Sequence, residues 1–402
     1  MAAVTRYESS VIPADFMTNP TPAVRESVAP RQFHSTVPVV AVFIVSRLLL
    51  VGVGASTLVW NGGHFDSFGE LVSLLARYDA YWYLGIVEHG YSAIESPDQL
   101  GASNFAFFPV FPLAVVATKA VLGISGAAAG VLVANLAFLA ALFLVFRYAM
   151  CLGLSPATAT LAIVLLAAAP QSFVFSAVYS ESLFVLLLAA AMLALRQKWS
   201  WTSGVAAALL SAVRPNGFMF LFFAITHLFC SDRWYDALAG WRRPERFIPI
   251  VMAPLGLFAF WWFSYLSTGD AFASMTTNRE GWYKTLDWPW SNIILALTHP
   301  EHHSRYFMAA SLVFFGFSLL LLKYRCVEEF CFCLASFLLF WSSATIGISL
   351  VRFSITLWPI YIGLARALET RPGMAAGVTG GFASWNAYLM TQWALGAGNI
   401  AL

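Results

Sequence analysis

Y-D-A-Y-W-Y-L-G-I-V-E-H-G-Y (residues 78–91) and N-F-A-F-F-P-V-F-P-L (104–113) interrupt a chain that is otherwise oil. Five acidic side chains fall between positions 66 and 95: Asp66, Glu70, Asp79, Glu88 and Glu95. The whole chain is only 10% charged against 60% hydrophobic, with a mean hydropathy of +0.74. Carboxylates set among aromatics beside a membrane either carry chemistry or form a solvated loop.

Outward from these stretches, the apolar runs decide the fold class. A helical crossing needs about 20 apolar residues, and such runs follow one another from Val39 to Ile400. The segments 38–60, 128–147, 157–174, 179–196, 200–213, 216–230, 247–266, 304–323, 327–348, 353–369 and 374–397 predict an all-α polytopic membrane protein with about eleven crossings. A membrane barrel would show short alternating segments instead. Residues 1–36 are polar, contain proline and lack the apolar core of a cleavable signal, which reads as a disordered cytoplasmic tail ahead of one membrane domain, 37–402. A formal charge of +2 gives no basic surface for nucleic acid. Cys151, Cys230, Cys326, Cys331 and Cys333 lie in or beside apolar runs and read as small packing residues.

Lys and Arg in short loops stay cytoplasmic. With the N-terminus inside, the inner side receives most of the 22 basic residues, Arg47 and Arg196 among them, and the outer side keeps Arg77, Lys119, Arg214, Arg279, Lys284, Arg305 and Arg352. This bias holds only if 105–123, which contains Pro109 and Pro112, does not cross. That stretch therefore reads as an interfacial or re-entrant helix. The outer face then carries a long first loop (61–126), a second long loop (267–303) and short turns near Ser176–Glu181, Arg214–Gly217 and Leu350–Arg352.

Nearly every unusual polar residue lands on that face. Asp79 stands among Tyr78, Trp82 and Tyr83, as either a general base or a helix N-cap. Glu88 and His89, before a helix-terminating Gly90, are candidates for hydroxyl binding or a solvated helix end. Glu181, in the knot Tyr179-Ser180-Glu181-Ser182, sits at a membrane boundary with no nearby cation in sequence, where ionisable groups are costly and seek a cavity or a partner. Arg214, in Arg214-Pro215-Asn216-Gly217, and the isolated Arg352 can each hold a phosphate with a planar fork or snorkel. His299-Pro300-Glu301-His302-His303 looks metal-like by composition, but it lacks an i, i+4 histidine pair on a clear helix. No nucleotide-binding glycine motif is present.

The run Asp79, Trp82, Tyr83, Glu88-His89-Gly90-Tyr91, then Phe105 to Leu113, Tyr179 to Phe184 and Arg214-Pro215-Asn216-Gly217 resembles the PIG-V family of mannosyltransferases, and Arg352-Phe353 suits that family's late Arg-Phe pair. The chain departs from the family at Tyr78, where Trp is usual, and at Trp82-Tyr83, where eukaryotic members carry His-Phe. The second departure points to a prokaryotic-type member. The resemblance implies a GT-C fold, a catalytic Asp79 in the first outer loop and an inverting transfer of mannose. The donor would be a polyprenyl-phosphate sugar and the acceptor a lipid or a glycan. It also implies substrate contacts from Trp82, Tyr83, Glu88, His89, Tyr179, Glu181, Arg214, Asn216 and Arg352. No cofactor is implied, a divalent metal being left open. The expected site is a multi-pass prokaryotic plasma membrane with the active face outside. Two other readings stand beside it: a GT-C transferase of another lipid-linked sugar, and a lipid or solute transporter, which the lack of an internal repeat disfavours.

Overall fold

The computed structural model describes residues 36–92, 101–231, 244–299, 302–343 and 349–397. Apart from Thr36, the expected N-terminal tail lies outside these residues, as do Glu95 and the basic Arg242-Arg243 pair.

The described residues form helices and no strand. In chain order they are α1 (Thr36–Trp60), α2 (Phe68–Leu75), α3 (Ala80–His89), α4 (Val110–Leu122), α5 (Gly126–Cys151), α6 (Pro156–Ala168), α7 (Glu181–Arg196), α8 (Ser200–Val213) and α9 (Phe220–Ser231). They continue with α10 (Ile248–Met252), α11 (Leu255–Thr268), α12 (Ala273–Trp282), α13 (Pro289–Thr298), α14 (His302–Lys323), α15 (Val327–Ser342), α16 (Leu350–Ile355), α17 (Pro359–Leu368) and α18 (Pro372–Ala394).

Among the described residues, three stretches are long and apolar enough to cross a membrane alone: α1, α5 and Ser304–Lys323 within α14. The expected span 247–266 is bent by 44° between α10 and α11. Pro254 sits at this break, where its missing N–H removes a helical bond. The expected span 353–369 is likewise split. α16 ends at Ile355, and α17 restarts with Pro359 in its first turn. α4 has 13 residues, which at about 1.5 Å per residue is short of the roughly 30 Å hydrocarbon core.

Two basic residues expected on the cytoplasmic side are drawn into the bundle, Arg47 buried and Arg196 with its side chain 20% exposed. Arg47 lies within α1, and its guanidinium donates to Ala167 O (3.1 Å) and Ser172 O (2.9 Å) and covers the Phe138 ring. Ala167 O belongs to the last turn of α6, and Ser172 O opens the short helical turn that follows Pro170. Arg196 is an ion-pair centre, held by Glu328 and by Glu329 (2.7 Å) and hydrogen-bonded to Tyr148 (3.2 Å). Charges inside lipid are carried only with such partners.

Candidate active site

A strained turn ahead of α3 positions Asp79. Tyr78 adopts φ 54°, a left-handed conformation costly for a bulky side chain. The buried Tyr179 clasps the turn. Its hydroxyl accepts from Asp79 N (3.1 Å) and donates to Arg77 O (3.2 Å). Arg77 is itself tied to the end of α18, donating to Trp393 O and Ala394 O at 2.9 Å. Asp79 thus stands at the start of α3, yet its side chain makes no capping bond. The carboxylate reaches across the bundle to Arg352 Nη1 at 2.6 Å, with the Asp79 side chain 24% exposed and that of Arg352 6%.

The other two charges join the same cluster. Arg214 is extended before Pro215, as the residue before a proline prefers. The turn can fold back on α8 because residue 217 is glycine: a Cβ there would stand 2.3 Å from Leu210 O. This return places Arg214 Nη1 2.5 Å from Glu181 Oε1, at the first residue of α7. A carboxylate at a helix N-terminus is also favoured by the helix dipole. Arg352 Nε approaches the same oxygen at 3.4 Å, so Glu181 lies between two guanidiniums. Arg352 is further held by Ser349 Oγ (3.1 Å), and Ser349 is another left-handed residue (φ 70°). Neither arginine snorkels.

The segment between α11 and α13 completes the site with residues that sequence reasoning missed. It docks on the segment ahead of α4 where Ser103 N donates to Thr277 Oγ1 (2.8 Å) and where Gly281 meets Ala102 too closely for any Cβ. That contact sets Trp282 edge-on to Trp82 (5.3 Å between centroids), while Trp82 stacks on Phe107 (5.9 Å). Lys284 follows Tyr283, a left-handed residue (φ 54°), and its ammonium lies 5.9 Å from the Phe353 ring. Enclosure, and then the nearby Arg352 and Arg214, pull this ammonium down to about 8 against the opposing effect of Asp79. No local motif marks Lys284 in the sequence. Only its convergence with residues from three other segments does.

The remaining expected residues are placed differently. Tyr83 is buried, and its hydroxyl is spent on Ser180 Oγ (2.8 Å). Asn216 is buried in the turn after Arg214. Glu88 and His89 stand at the opposite end of α3 from Asp79, exposed, with Glu88 paired to Lys119 at 2.5 Å. Asp66 and Glu70 belong to the start of α2, where Glu70 forms a capping box with Ser67. Of the acids around the first stretch, Asp79 alone among the described residues faces the cationic cluster. The described residues contain no group of three His, Cys, Asp or Glu fit to hold a metal. His299 serves as a carbonyl acceptor for Arg305 (2.9 Å), and Pro300 and Glu301 lie outside the described residues.

Known proteins match this arrangement at two levels. The structure of ArnT from Cupriavidus metallidurans bound to undecaprenyl phosphate superposes with a TM-score of 0.55 at 12% identity, over 89% of this chain and 78% of that one. The likeness shows a GT-C fold, and with the apolar helices it makes the chain an integral membrane protein. Mouse GPI alpha-1,6-mannosyltransferase 2 is 33% identical over 218 residues, 49% of this chain and 42% of the mouse protein. The human enzyme is 36% identical over 167 residues, 39% of this chain and 32% of its own length. The matches thus span less than half of these curated relatives. The family model for mannosyltransferase (PIG-V) covers residues 66–315, from the capping box of α2 into α14. Because that match embraces Asp79, Glu181, Arg214 and Lys284 within more than half of the sequence, the chain belongs to the PIG-V mannosyltransferase family.

Proposed function

We propose that the chain transfers mannose from a polyprenyl-phosphate-mannose donor to a hydroxyl of a lipid or glycan acceptor on the non-cytoplasmic side of the membrane, with inversion at the anomeric carbon. The observation that carries this reading is the carboxylate of Asp79 set 2.6 Å from Arg352, beside Arg214 and Glu181, at the junction of the two outer loops. An inverting transfer needs a base on the acceptor side and cations on the leaving-group side. Asp79 takes the proton of the acceptor hydroxyl as its oxygen forms a bond to the sugar C1. The C1–O bond to phosphate breaks, and its electron pair stays with the polyprenyl phosphate. Arg352 and Arg214 face that growing charge. A phosphate arriving at Arg352 competes with Asp79 for the guanidinium and frees the carboxylate to act as base. The Trp82–Trp282 pair offers aromatic faces for the apolar side of a sugar ring.

Membranes containing the protein, incubated with radiolabelled polyprenyl-phosphate mannose, should label a lipid or glycan fraction. Labelling from a nucleotide-linked mannose, with polyprenyl-phosphate mannose synthesis blocked, would overturn the donor assignment.

Two further outcomes follow from the geometry. Tyr179→Phe removes the hydroxyl that clasps the Asp79 turn and leaves a partly buried donor and acceptor unmatched, a loss of about 1–3 kcal/mol. Turnover should fall about tenfold with KM for the donor little changed; unaltered turnover would show that the turn holds itself. Thr285 is exposed beside Lys284. In a background without the native cysteines, Thr285→Cys should react with an impermeant maleimide on intact cells. Reaction only after permeabilisation would reverse the orientation.

A further inference from the structure

Three cations surround one aromatic ring. Arg214 Cζ lies 4.7 Å, Arg352 Cζ 5.4 Å and Lys284 Nζ 5.9 Å from the centroid of Phe353. Among the described residues, two carboxylates, Asp79 and Glu181, stand with them, and both are engaged by the guanidiniums. Among the described residues, Lys284 Nζ has no ion pair and no hydrogen bond; its contact is the Phe353 ring. The cluster therefore carries one positive charge more than it balances, in surroundings where unmatched charge is costly.

We propose that Lys284 is the docking cation for the phosphate of the lipid-linked donor, acting with Arg352 and Arg214 across the Phe353 ring. This inference rests on the donor reading above and adds the residue that first receives the anion. A sugar phosphodiester carries one negative charge, which balances the excess. Once the C1–O bond has broken, the phosphate left behind carries more, so the same cations hold it more strongly as the reaction proceeds. The groups facing Lys284 are Arg352, Arg214 and Asp79, and its ammonium is drawn down to about 8. Its charge is therefore present at neutral pH and is lost as pH rises through that value.

The test uses the purified chain in lipid nanodiscs, with undecaprenyl phosphate as the probe and phosphatidylinositol as the competing source of a phosphate. Lys284→Ala should raise the Kd for undecaprenyl phosphate about tenfold, and Lys284→Arg should stay within about threefold of wild type. Wild-type affinity should weaken above pH 8, while that of Lys284→Arg should remain flat. Binding of phosphatidylinositol should be indifferent to Lys284→Ala. An unchanged Kd for undecaprenyl phosphate in Lys284→Ala would overturn the role of this lysine and leave the donor reading standing. Loss of phosphatidylinositol binding in its place would assign Lys284 to the acceptor. A wild-type chain that binds no undecaprenyl phosphate would remove the donor reading, and this inference with it.

Discussion

Asp79→Asn should lower the turnover number by about 10²–10⁴, the usual contribution of a general base, while the protein remains folded. Asparagine keeps the shape of the side chain and can still accept a hydrogen bond from Arg352, but it cannot take a proton from the acceptor hydroxyl. Glu181 continues to hold both Arg214 and Arg352, so the cluster loses one counter-charge and no frame. Donor affinity should hold or improve, because the phosphate no longer competes with a carboxylate for Arg352. Thermal unfolding followed with donor titration separates the possibilities. Turnover above about half of wild type would leave Asp79 a structural partner of Arg352, and loss of both stability and donor binding would make the pair architectural.

The second large effect belongs to Arg352. It bridges Asp79 and Glu181 with different nitrogens of one planar group, which a lysine ammonium cannot do. Arg352→Lys should keep the protein stable and cut turnover by at least about tenfold. Arg352→Ala should be worse on both counts, since it removes the cation paired with Asp79 and one of the two guanidiniums beside the buried Glu181, at a cost of about 1–3 kcal/mol of stability. Measured side by side, the two variants distinguish charge from geometry: equal activity in wild type and Arg352→Lys would reduce the arginine to a simple counter-charge.

The site charges were legible in the sequence for one physical reason. An isolated Asp, Glu or Arg in an apolar run has to find a partner, and Asp79, Glu181, Arg214 and Arg352 are all of that kind. Their pairing was not legible, because Asp79 and Arg352 are separated by 273 positions and no local pattern records the contact. Glu88 and His89 show the opposite weakness of sequence reading. Their capacity to bind hydroxyls and the family-like Glu88-His89-Gly90-Tyr91 run recommended them, yet a ten-residue helix carries them to its far end, where Glu88 ties α3 to Lys119 of α4. Lys284 was hidden in a loop with other polar groups, and only the docking of Gly281 on Ala102 brings it to the cluster. The helical class followed from hydropathy alone. The breaks at Pro254 and before Pro359 did not, because a proline in an apolar run marks a kinked crossing or an interruption equally well.

The central claim is that the acceptor attacks the sugar carbon and leaves the phosphate on its lipid at the Arg352 side of the site. Its most direct measurement uses the purified chain in proteoliposomes, a glycolipid acceptor extract, and a polyprenyl-phosphate-mannose donor labelled with tritium in the mannose and with radiophosphorus in the phosphate. The account predicts that tritium moves to the acceptor while all the phosphorus label stays on the polyprenyl lipid, and that Asp79→Asn stops the movement of tritium. Transfer of both labels together, or transfer of tritium at the wild-type rate by Asp79→Asn, would contradict it.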